Sequence, residues 1–157
     1  MTAKQHFSTT YTSLITWAED DLAKLDDETW LTPMKPGKWS IAEVLSHLIA
    51  WDRFVCEERI QHIQPGEILH KVSSDEQETN RRAAEYARAG ISKEALIAEF
   101  KETRQKLIDA VDALSEAEFI TPFRIGEREL TIETYMQGMI HHDTHHRQEI
   151  DDFLANK

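Results

Sequence analysis

The chain has 157 residues, with 18 basic and 29 acidic side chains and a formal net charge of -11. That excess repels phosphate backbones and leaves no basic stripe for counterion release, so no nucleic-acid partner is expected. Its one cysteine, Cys56, excludes an internal disulfide and an ordinary cysteine-built zinc knuckle.

The length suits a single domain over residues 1–157 that buries on the order of 70% of the surface its unfolded form exposes. No apolar run is long enough to span a bilayer and the N-terminal residues form no secretory signal, so no membrane association and a cytoplasmic location are expected.

From Lys4 to Leu25 the apolar residues recur at three- and four-residue steps, which predicts an amphipathic core helix. Asp26 to Lys38, with Pro33, Pro36 and Gly37, cannot continue it and reads as a long connection. Ser40-Ile41-Ala42-Glu43 matches a capping box and opens a second helix running to about Gln64, where Pro65-Gly66 stops it.

Glu67 to Ser74 reads as loop. Asp75 to Ala89 reads as a short polar helix connecting helices two and three outside the core, and its Asn80-Arg81-Arg82 run as a solvated face. Ser92 can cap the third long helix, whose stripe is Leu96, Phe100, Leu107, Val111 and Leu114. Phe119 to Leu130, with Pro122 and Gly126, is another break. Thr131 can then cap a last helix from Ile132 to about Ala155.

No segment alternates strictly enough to predict a sheet. The expected fold is all-α: a four-helix bundle with long connections and one short extra helix. Leu14, Val44, Trp51, Leu107, Met139 and Ile150 are expected in its core.

Four of the eight histidines fall between His141 and His146. At about 100° per residue, His142 and His146 share the arc of Tyr135, Met139, Ile150 and Phe153, whereas His141 and His145 point toward Thr134, Gln148 and Asp152. Two imidazoles one turn apart on an inward stripe need a shared partner, either a metal ion or buried hydrogen-bonding groups. Two histidines supply only part of a ligand set. His47 lies beside Val44, Trp51 and Phe54 on the second helix and can enter the same core, completing three ligands with an open position. His6, His62 and His70 read as solvated.

The segment Lys38-Trp39-Ser40-Ile41-Ala42-Glu43-Val44-Leu45-Ser46-His47-Leu48-Ile49-Ala50-Trp51-Asp52, followed much later by His142-Asp143-Thr144-His145-His146-Arg147-Gln148, resembles the DinB/YfiT-like superfamily. The resemblance extends over essentially the whole chain in length and helix order. It implies a four-helix bundle that binds a divalent metal through His47, His142 and His146. One departure is Arg147-Gln148-Glu149, where many relatives read Arg-Gly-Gln; it places the Glu149 carboxylate one turn beyond His146.

The resemblance further implies a metal-dependent enzyme, with transfer of a low-molecular-weight thiol of the bacillithiol type to an electrophile as the expected activity. A small-molecule substrate follows, with zinc or nickel as the expected ion. Metal-dependent hydrolysis is the alternative, with Asp143, Glu149 or Asp52 as base. A non-catalytic metal-binding stress-response bundle is a third. A homodimer is compatible with the exposed bundle faces, although no patch in the sequence specifies one.

Overall fold

A computed structural model describes residues 2–62, 68–69 and 75–157. Four long helices form the bundle: α1 (Ala3–Asp20), α3 (Ile41–Val55), α5 (Lys93–Asp112) and α7 (Ile132–Ala155). Each buries one stripe. Phe7, Tyr11, Leu14 and Ala18 of α1 meet Leu96, Phe100, Leu107 and Val111 of α5, with Val44, Leu45 and Leu48 of α3 and Ile132, Met136 and Ile150 of α7 completing the core. Of the six expected core residues, Leu14, Val44, Leu107 and Ile150 are buried. Trp51 and Met139 are only half-buried.

The expected caps form at Ser92, whose hydroxyl accepts from the Ala95 N–H at 3.1 Å, and at Thr131, which accepts from Thr134 at 3.1 Å. Ser40 caps α3 by accepting from the Glu43 N–H at 3.2 Å. The reciprocal half of that box differs from expectation: the Glu43 carboxylate takes the Ser40 hydroxyl and the Arg88 guanidinium instead of returning to backbone N–H.

The breaks hold more structure than expected. The first contains a short helix, α2 (Asp27–Leu31), and the second contains α6 (Glu116–Ile120). Beyond α6, β2 (Phe123–Ile125) turns back through Gly126, at φ 60°, into antiparallel β3 (Arg128–Leu130). β1 (Ile68–Leu69) adds a parallel edge to β2, pairing Ile68 with Arg124. Strands of two or three residues are too short to show alternation in sequence.

The second predicted helix is α3 continued by a π-helical turn, Cys56–Ile60. Its expected end at Gln64, the Pro65-Gly66 stop, most of the Glu67–Ser74 loop and His70 lie outside the described residues. The extra helix α4 (Glu76–Arg88) is not merely a connection. Its Ala83, Ala84 and Ala87 are buried, and the Ser46 hydroxyl donates to the Ala83 carbonyl at 2.7 Å. Small side chains let its backbone lie close on α3 despite its polar composition. None of the described helices is long and apolar enough to cross a membrane.

Candidate metal centre

His47 is on α3 between the buried residues Ser46 and Leu48, and His142 and His146 are one turn apart on α7. Crossing of the two helices brings the three rings together. His47 Nε2 is 3.1 Å from His142 Nε2, which is 3.1 Å from His146 Nε2, and one nitrogen from each ring falls within 4.8 Å of the others. His141 and His145 are exposed and lie outside the three-histidine cluster, with the His145 ring beside that of His146 at 5.4 Å between centroids.

The remaining ring nitrogens explain the convergence. His47 Nδ1–H donates to Asn80 Oδ1 at 2.9 Å, and the same oxygen accepts the Trp51 indole N–H at 2.9 Å. His146 Nδ1–H donates to Glu149 Oε1 at 2.8 Å. A histidine that donates from Nδ1 carries its lone pair on Nε2, so both rings turn acceptor atoms toward His142. Trp39 packs against His47 with ring centroids 4.8 Å apart and holds its plane from the other side.

His142 Nδ1 is buried and has no hydrogen-bond partner among the described residues. Without a cation, one Nε2–H of His142 must serve two facing lone pairs. A cation at their common centre lets all three nitrogens act as ligands. Imidazole–metal distances of about 2.0 to 2.1 Å in a tetrahedral site put nitrogens about 3.3 Å apart, near the two observed separations. The donor set therefore fits a divalent ion.

Electrostatics keep the rings neutral, as ligands must be. Burial, reinforced by His146 and His142, lowers the His47 pKa to about 3. Burial also lowers those of His142 and His146, each helped by a neighbouring imidazole.

Beneath the rings lies a buried ion cluster. Arg104 of α5 is 0% exposed and donates to Asp52 of α3 at 2.8 and 2.9 Å and to Asp143 of α7 at 2.8 and 3.2 Å. Its guanidinium carbon also lies 3.9 Å from the centroid of the Tyr11 ring of α1. One cation faces two carboxylates, so burial dominates and raises both acids, Asp52 to about 6.

Of the carboxylates considered as bases, Asp52 and Asp143 are thus held by Arg104, and Glu149 sits behind His146. Sequence reasoning missed Arg104 and Asn80. Arg104 could have been found as a charge between Phe100 and Leu107 on the α5 stripe, whereas nothing local marks Asn80.

Beside His146 a groove of about 1000 Å³ runs between the α2–α3 connection and the C-terminal half of α7. Met34, Trp39, Val44 and Phe153 supply its apolar lining, with Lys35 and Lys38 on one side and Glu149 and Asp152 on the other.

Residues 16–150 match the family model described as the DinB superfamily. Two solved structures share the fold. YfiT from Bacillus subtilis, described as a probable metal-dependent hydrolase with an unusual four-helix bundle topology, has a TM-score of 0.75 at 14% identity, over 98% of this chain and 86% of its own. A DinB-like protein from Bacillus cereus has a TM-score of 0.66 at 15% identity, over 97% of this chain and 91% of its own. No curated protein matches the sequence.

Proposed function

This chain belongs to the DinB superfamily, and from its three-histidine cluster we propose that it is a divalent-metal-dependent enzyme transferring a low-molecular-weight thiol to an electrophile. The observation that carries this reading is the convergence of three Nε2 atoms whose flanking nitrogens, in two rings, are already engaged. His47, His142 and His146 would hold the ion, zinc or nickel. When bound, the ion supplies Lewis acidity that lowers the pKa of a thiol or water in its remaining position.

The protein's own residues do the rest. Asn80 and Glu149 orient His47 and His146, Trp39 shields one side of the cluster, and the groove beside His146 receives the substrate. Asp52 and Asp143 are engaged by Arg104, and Glu149 by His146. Asp52 and Asp143 cannot take a proton from an attacking water without giving up Arg104, whereas Glu149 is held through Oε1 alone. Thiol chemistry asks for no such base, because coordination alone deprotonates a thiol.

Hydrolysis is the second reading, favoured by the description of YfiT as a probable metal-dependent hydrolase. In it, Glu149 would act as base through the His146 edge.

The test begins with metal analysis of natively purified protein. One ion per chain, lost in His146→Ala and retained in His141→Ala, is expected. Turnover of monobromobimane that requires added thiol, stops on chelation and survives Asp143→Asn and Glu149→Gln supports transfer. Thiol-independent ester hydrolysis lost in Glu149→Gln supports the hydrolase. A protein that binds no ion overturns both.

A further inference from the structure

The connection between α2 and α3 is a built turn. Lys35-Pro36-Gly37-Lys38 closes through the Lys38 N–H to the Lys35 carbonyl at 3.0 Å, with proline at its second position and Gly37 at φ 72° at its third. That is type II geometry, which needs a residue able to take positive φ at the third position. A second bond, Met34 N–H to the Trp39 carbonyl at 3.0 Å, ties the base of the loop. Lys35 and Lys38 thus stand at the two ends of one preorganised turn, both on the groove wall, and Trp39 next to them packs on His47.

Their charges are unspent. Lys101 and Lys106 pair with Glu19 and Glu102, but neither Lys35 nor Lys38 has a carboxylate within ion-pair distance among the described residues. In a chain of net charge -11 this is a local reversal of sign. The acids on the facing wall, Glu149 and Asp152, keep their charge, but the three lysines of the lining, Lys35, Lys38 and Lys157, outnumber them. The apolar lining between turn and cluster suits a short organic body.

We propose that Lys35 and Lys38 form an anion-recognition rim, so that the groove selects a small organic substrate carrying a carboxylate or phosphate at the end remote from its reacting group. The proposal rests on the reading of the three-histidine cluster as the reaction centre, and it supplies that reading with a substrate class. Both lysines are exposed, so replacing them leaves the core untouched.

The test titrates the zinc-loaded full chain with mercaptosuccinate and with 2-mercaptoethanol, following backbone amide shifts at residues 34–39. Mercaptosuccinate should bind more tightly, and the double variant Lys35→Gln/Lys38→Gln should weaken it roughly 2- to 30-fold, the sum expected of two exposed ion pairs. The same variant should change 2-mercaptoethanol binding by less than about twofold, since a neutral thiol has no such pair to lose. No preference for the dianion, or equal loss for both thiols, overturns the rim.

A second arm uses metal-free protein with succinate and with inorganic phosphate, neither of which needs an ion or a thiol. Amide shifts that saturate with either anion, and are lost in the double variant, support the rim even if zinc fails to bind, and the responding anion identifies the group recognised. Silence of residues 34–39 toward both anions overturns it even if zinc binds.

Discussion

Replacing Arg104 by methionine should be among the most damaging single changes in this molecule. The guanidinium is fully buried, donates four hydrogen bonds to Asp52 and Asp143, and is stacked on Tyr11 and Phe100. It therefore joins α5 to each of the other three long helices. Methionine matches much of the aliphatic stem but leaves two carboxylates in the core without a cation.

Breaking a buried ion pair by removing one partner costs about 3 to 5 kcal/mol, most of it the price of the stranded charge. Urea unfolding of the metal-free protein at neutral pH should show a loss of that size. Two controls separate charge from packing. The loss should shrink on mild acidification relative to wild type, because the stranded acids can then protonate. The triple variant Arg104→Met/Asp52→Leu/Asp143→Leu should recover much of it, since a packed apolar cluster of similar volume is often no less stable than an ion triad. A loss below about 1 kcal/mol, or a triple variant no better than the single, refutes the argument that stranded charge dominates.

Asn80→Ala removes the shared acceptor of His47 and Trp51 and should weaken metal binding about 10- to 100-fold, as loss of an outer partner of a ligand does, while Asn80→Asp should retain most of it; competition with a chromophoric chelator measures both. Leu107→Ala should cost about 2 to 5 kcal/mol in urea unfolding, in line with fully buried leucines elsewhere. For pH, the His47 pKa lies near 3 in the folded chain against 6.5 for the free side chain. Between those values the unfolded state binds the extra proton, so stability of the metal-free protein falls as pH drops below about 6.5. Asp52, raised to about 6, acts with opposite sign between that value and its ordinary 3.8. Comparing wild type with His47→Gln isolates the histidine: the wild-type slope of stability against pH should exceed that of the variant by up to about one proton, and equal slopes would remove His47 as the cause.

What could be read from the chain divides by range. The four long helices were legible because each buries one stripe with a 3.6-residue period, and that period also separated His142 and His146 from His141 and His145. The caps at Ser92 and Thr131 were legible because a cap is local. The β1–β2 pairing was not, since it joins Ile68 to Arg124 across α4 and α5 with strands too short to carry a pattern. Asn80 was hidden for the same reason: its partner His47 lies on another helix, and its own segment reads as polar.

Arg104 failed differently. It occupies a core position, but a count of apolar residues along α5 passes over a charge, so Phe100 and Leu107 looked like consecutive members of the stripe. The structure explains how the charge is tolerated there: Asp52 and Asp143 arrive from the facing stripes of α3 and α7.

Those two acids also tie the cluster to the histidines. Asp143 follows His142 directly, and Asp52 is on the same helix as His47, so the guanidinium that binds both carboxylates clamps together the two helices that carry all three rings. Packing alone permits small slides between helices, whereas a bidentate pair on each side fixes their register. A site that needs three nitrogens converging on one centre gains from that constraint. It follows that the triple apolar variant, even when its stability recovers, should bind metal more weakly than wild type, because leucine and methionine restore burial without restoring register. Equal zinc affinity in the two proteins would show that helix packing alone sets the geometry, and would confine the Arg104 cluster to a role in stability.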